Sequence, residues 1–200
     1  MNSKIFADKG MVFLKKYNSY SKKEEMLAHY GLETIYILIT KTIFITILSI
    51  IFGLLKEVYL FILFYGILRL YSSGLHMRKG IHCTILSTIC LLGLPYLSII
   101  TSISFGLKLI ILGISLICFT LYSPADTYKK PLINVKKRKI LKIKSIIILF
   151  IYAILTLYIR NSFISSIIIY SIILQVILIL PITYKIFNMP YNNYLNYKEE

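Results

Sequence analysis

Long apolar runs alternate with short polar connections along this chain, at roughly residues 34–55, 58–71, 81–101, 103–122, 145–160 and 163–184. A helix needs about 20 mainly apolar residues to cross a bilayer, so the pattern predicts six spanning helices. The second and fifth runs are short and would need an added turn or local thinning of the bilayer. Residues 1–33 read differently. There Ile5, Phe6, Met11, Val12, Phe13, Leu14, Met26 and Leu27 alternate with Lys4, Lys9, Lys15, Lys16, Lys22, Lys23, Glu24 and Glu25. That segment is too polar to span and suits an amphipathic helix lying among lipid headgroups. The predicted fold is all-α: a polytopic membrane helical bundle of about six transmembrane helices behind an interfacial N-terminal helix. It forms one membrane-embedded domain over 1–200, with the bundle at 34–184 and a tail at 185–200.

Composition supports this reading. The chain is 58% hydrophobic and 16% charged, against about 45–50% and about 25% for a soluble domain. Its 23 basic and 8 acidic residues leave a net charge of +15, which alone would raise the question of nucleic acid. In a multi-span protein, however, Lys and Arg in short loops mark the cytoplasmic side, so no nucleic-acid partner is expected. The lysines cluster in the N-terminal segment and again over 123–144, where Lys129, Lys130, Lys136, Lys137, Arg138, Lys139, Lys142 and Lys144 face Asp126 alone. Arg78 and Lys79 mark the 72–80 connection, whereas the remaining connections are nearly neutral. Six spans then place both termini and every basic connection in the cytoplasm of a cell-membrane protein. The N-terminus lacks the pattern of a cleaved signal peptide. Lys41 and Lys108, inside apolar runs, are expected to snorkel to the interface. Gly93, Pro95 and Pro181 are expected to kink their helices, with neighbours re-satisfying the freed backbone.

One polar, glycine-flanked stretch carries candidate chemistry: Gly74-Leu-His-Met-Arg-Lys-Gly-Ile-His-Cys83. An imidazole beside a thiol can take its proton and generate a thiolate nucleophile. His76 and Cys83 are seven residues apart, which on an unbroken helix separates them by about 10 Å along the axis. A dyad therefore requires the chain to break between them, and Gly80 is the expected place. Cys83 then lies at the positive N-terminal end of the following helix, near Arg78 and Lys79, a setting that favours a thiolate. His82 is a rival base, ranked lower because adjacent side chains on a helix point apart. Cys90 and Cys118 read as packing residues, and three cysteines in or beside apolar segments do not suggest disulfides. His29, His76 and His82 lack a convergent carboxylate set, so neither a metal nor a cofactor is expected.

The Gly-Leu-His…Cys-Thr-Ile-Leu-Ser stretch ending at Ser87 resembles the Gly-x-His-Ala…Cys-x-x-x-Ser signature of the accessory gene regulator protein B family. Ala28-His-Tyr-Gly-Leu-Glu33 is similar to the family's segment before its first span. Tyr122-Ser-Pro-Ala-Asp-Thr-Tyr-Lys-Lys-Pro131, with the basic run to Lys144, is similar to its Pro-Ala-Asp-Thr-Lys-Lys-Pro loop. The three matches occur in order and cover nearly the whole chain. Met77 stands where the family usually has Ala, and Ser73 where a second Gly is common; neither change removes a reactive group.

The resemblance implies a membrane cysteine endopeptidase in which Cys83 is the nucleophile and His76 its base. Its substrate would be a short quorum-sensing peptide precursor with an acidic C-terminal region, released as a thiolactone or lactone. Arg69, Lys129 and Lys130 are the candidate contacts for those acids. Asp126 is either a third member orienting His76 or a cap or lysine partner. Membrane lipids and a second copy of the chain are further expected partners. The competing class is a peptide transporter or export channel without covalent chemistry, which would need intramembrane ionisable residues; only Lys41 and Lys108 lie within spans.

Overall fold

The computed structural model describes residues 3–76, 80–127, 131–159 and 161–196, excepting the side chains of Lys23 and of 80–82. Its contacts divide the chain into two compact units, Met1–Gly53 and Leu54–Glu200.

In the first unit α1 (Ser3–Leu14) packs on α2 (Lys22–Ile51). Gly10 allows close approach, since a Cβ there would lie 2.8 Å from Leu32 Cδ1. Ala7 and Met11 are buried against α2, Phe6 meets Tyr36, and His29 Nε2 lies 2.9 Å from Asp8 Oδ1. The first spanning helix begins earlier than expected from the apolar run. Ser21 and Glu24 form a reciprocal capping box that starts α2 at Lys22, and nothing between there and residue 34 breaks a helix. Only the shorter α1 is a separate N-terminal helix.

In the second unit α3 (Leu55–Ser72), α4 (Gly80–Ile100), α5 (Phe105–Tyr122) and α6 (Val135–Tyr158) all pack on α7 (Ser162–Ile179). The sequence of α7 explains its central place. It is apolar on every side, as expected of a helix surrounded by others, and Ile167, Ile168, Ile169, Ile172 and Ile179 are wholly buried. Its few polar groups make cross-links: Ser165 Oγ donates to the Thr156 carbonyl at 3.0 Å, and Tyr170 shares a 2.8 Å hydrogen bond with Thr101. Cys90 and Cys118 pack against the two core clusters. None of the three cysteines is in a disulfide.

Among the described residues, five helices (α2, α4, α5, α6 and α7) are long and apolar enough to cross a membrane. The second expected span, α3, is as long as α5 and α7 at 18 residues but carries Lys56, Glu57 and Arg69. Many large apolar side chains of these helices are solvent-exposed, such as Ile43, Ile85, Ile110 and Ile147. That is the surface a helix offers to lipid.

Two further boundaries differ clearly from the hydropathy reading. The basic run is not loop: Asn134 Oδ1 accepts the Lys137 N–H at 2.9 Å and starts α6 at Val135. Lysine and arginine are good helix formers, and the extra turns supply the length that the fifth apolar run lacked. The sixth span ends at Ile179 rather than 184. Pro181 forces Leu180 into extended backbone (φ −66°, ψ 135°), and a short helix α8 (Pro181–Ile186) follows with Pro181 in its first turn.

Candidate active site

The break at Pro181 supplies part of the scaffold for residues 72–76. In a continuous helix the carbonyls of Ile177 and Leu178 would accept from residues 181 and 182. Pro181 has no N–H, and the turn carries residue 182 away. Thr183 Oγ1 takes the Ile177 carbonyl. The backbone N–H of Leu75 takes that of Leu178, at 2.8 Å.

Further bonds fix the same segment. Gln175 on α7 donates from Nε2 to the Ser72 hydroxyl at 2.6 Å and to the Ser73 carbonyl at 2.7 Å. Ser73 forms an isolated parallel bridge with Ala125, in which Gly74 donates to the Ala125 carbonyl at 2.7 Å and Ala125 to the Ser72 carbonyl at 3.0 Å. Arg69 Nη2 donates to the Leu75 carbonyl at 2.6 Å. Gly74, at φ 119°, has no room for a side chain: a Cβ would lie 2.8 Å from Arg69 Nη1 and 2.9 Å from the Leu178 oxygen. Only glycine fits this conformation and this approach. Leu75 is buried and the adjoining His76 is exposed.

From that position His76 Nδ1 lies 3.8 Å from Cys83 Sγ. Helix α4 begins at Gly80, which puts the partly exposed Cys83 in its first turn. His76 lies outside any helix and α4 starts at Gly80, so no continuous helix joins the two residues, as their spacing demanded. A sulfur–nitrogen contact of this length is within reach of a proton transfer that tightens when substrate binds. Charge developing on Sγ faces the positive end of the α4 dipole.

The Pro-Ala-Asp-Thr loop is anchored by a different part of the chain. Asp126 is buried, and its carboxylate accepts from the backbone N–H of Asn193 (3.0 Å), Tyr194 (2.8 Å) and Leu132 (3.4 Å), and from Asn193 Nδ2 (3.3 Å). It thus caps a short 3₁₀ turn, Asn193–Asn196, far away in sequence. No lysine partner of Asp126 is seen among the described residues. Tyr184 on α8 donates to the Asp126 carbonyl at 2.9 Å. Burial pushes the Tyr184 phenol far above its ordinary range, so it keeps the proton it donates. Gly74, two residues before His76, bonds to Ala125 beside Asp126, while the Asp126 carboxylate itself serves as a cap.

Arg69 is absorbed into the scaffold by Leu75 and also lines a small cavity of about 230 Å³ with Ser73, Gly74 and Thr127. Lys129 and Lys130, together with Met77, Arg78 and Lys79, lie outside the described residues, as does the side chain of His82. Sequence reasoning missed Gln175, Tyr184 and the tail at 193–194. A lone glutamine in a largely apolar span was the available signal, because a buried amide must find a partner. Among the described residues no three His, Cys, Asp or Glu side chains converge to hold a metal ion.

Comparison with known proteins gives a consistent result. The family model described as Accessory gene regulator B matches residues 7–179. A protein of Clostridium acetobutylicum, named only as AgrB-like, is 32% identical over 84% of this chain and 80% of its own length. An equally named protein of Listeria monocytogenes is 34% identical over 84% of this chain and 83% of its own. One of Lactiplantibacillus plantarum is 27% identical over 88% of each. No solved structure matches.

Proposed function

The chain belongs to the accessory gene regulator B family, and on that premise we propose that it is a membrane cysteine endopeptidase acting on a quorum-sensing peptide precursor. Membership implies a part in processing such peptides. The observation that carries the finer reading is the 3.8 Å contact of Cys83 Sγ with His76 Nδ1 across a chain break.

His76 Nδ1 takes the thiol proton, and the Cys83 thiolate attacks a precursor carbonyl. The peptide C–N bond breaks, and the leaving amine receives the proton from His76. The N-terminal part of the precursor is then held as a thioester on Cys83. An internal thiol (or hydroxyl) of the same peptide next gives its proton to His76 and attacks the thioester. A thiolactone (or lactone) ring forms, and Cys83 leaves as thiolate and is reprotonated. In the sulfur version this second step exchanges one thioester for another of similar energy. The peptide's own thiol wins over water by its high effective concentration.

By the charge rule, both termini and the catalytic segment face the cytoplasm, where the precursor is made. Arg69, Lys129 and Lys130 are proposed contacts for the precursor's acidic region. The experiment is processing of a short amphipathic peptide with an internal Cys and an acidic tail, encoded beside this chain, by the reconstituted protein. Cys83→Ala and His76→Ala should each abolish cleavage, with Cys90→Ala and Cys118→Ala unaffected. Unimpaired cleavage by either of the first two defeats the proposal, and transport without cleavage favours an export channel.

A further inference from the structure

A second concavity lies between the end of α5, the start of α6 and the C-terminal segment, with a volume of about 440 Å³. Its walls include Arg138, Lys139 and Lys142 from α6, with Tyr122, Tyr191 and Tyr194. Arg138 and Lys142, four residues apart, share one helix face. The Arg138 guanidinium lies over the Tyr194 ring, 3.3 Å from its centroid, and its Nε is buried without a hydrogen-bond partner. No acidic residue is among the described lining residues. The nearby carboxylate of Asp126 is already engaged by backbone N–H groups of the tail. Among the described residues the site thus gathers three cations and no uncommitted anion.

Its level along the helices narrows the occupant. The apolar run of α5 ends at Tyr122, and that of α6 starts only after Lys144. Tyrosines beside cations at such a boundary are the pattern of a membrane–water interface. On the membrane side the rim is apolar, since Leu121 in the last turn of α5 is 64% exposed. A soluble anion has no use for that rim, whereas an acyl chain does.

We propose that this concavity is a binding site for an anionic glycerophospholipid, its phosphodiester held by Arg138, Lys139 and Lys142 and its acyl chains lying along Leu121. The assignment does not depend on the peptidase reading.

The test is native mass spectrometry of the full chain in detergent, titrated with phosphatidylglycerol. Phosphatidylcholine, inorganic phosphate and a glutamate-rich peptide are run in parallel. Wild type should prefer phosphatidylglycerol to phosphatidylcholine about tenfold, and Arg138→Gln/Lys142→Gln should lose about that factor. The charge-matched control Lys136→Gln/Lys137→Gln, outside the concavity, should stay within about twofold. If the first variant does not fold, Lys139→Gln/Lys142→Gln replaces it, because it leaves the Arg138–Tyr194 stack intact. Equal losses in both double variants would mean diffuse charge attraction and would overturn the site. Displacement of the lipid by millimolar phosphate, or saturable binding of the peptide in its place, would overturn the lipid assignment.

Discussion

Leu75 donates its backbone N–H to the carbonyl of Leu178 at 2.8 Å, tying the residue before His76 to the end of the central helix. That carbonyl is free only because Pro181 stops the helix. A helix break thus contributes to positioning His76, the proposed base, although Pro181 is far from it in sequence.

Replacing Pro181 by Ala restores an N–H and removes the restriction on Leu180, so α7 can continue and Ile182 can compete for Leu178. Thermal stability should be unchanged or slightly raised. Precursor processing should fall by about tenfold or more, because small misplacements of a catalytic group cost up to about 10²-fold. Parallel melting and processing assays check the split; a loss of both together would indicate simple unfolding.

Gly74→Ala places a methyl group against Arg69 Nη1 and the Leu178 oxygen at a backbone angle unsuited to alanine. The conformational strain alone costs about 1–3 kcal/mol. The variant should melt lower and process nothing. Gly113→Ala is the control, since a Cβ there meets nothing within 4 Å, and it should behave as wild type.

Asp126→Ala leaves several buried N–H groups without an acceptor, at about 1–3 kcal/mol for each that stays dry. The tail should become sensitive to protease near residues 191–196, and alkylation of Cys83 should lose its dependence on an intact His76 as the 124–127 loop loosens. Asp126→Asn keeps one acceptor oxygen and should fall between. A protease-resistant tail in the Ala variant would show that the carboxylate does not hold it.

Much of this fold is legible in the sequence, because membrane helices announce themselves by apolar length. The observed α4 and α5 differ from the predicted runs by two residues or fewer at each end. The errors have physical causes. Hydropathy cannot see a helix continue through charged residues, so it missed Lys22–Glu33 and Val135–Lys144, where the capping side chains of Ser21 and Asn134 mark the true starts. The His76–Cys83 pairing could be inferred because seven residues on a helix are too far apart, which required a break. The support beneath it could not. Gln175, Leu178 and Asp126 act through contacts between segments distant in sequence, and no local pattern encodes those.

If Cys83 carries the acyl group, intact mass spectrometry reads it directly. A precursor whose internal Cys is replaced by Ala cannot close its ring, so the acyl-enzyme should accumulate. The expected result is a mass increase equal to the precursor's N-terminal fragment, mapped to Cys83, released by hydroxylamine and absent from His76→Ala. Cleavage of that precursor with no adduct on Cys83 at any time point would contradict it.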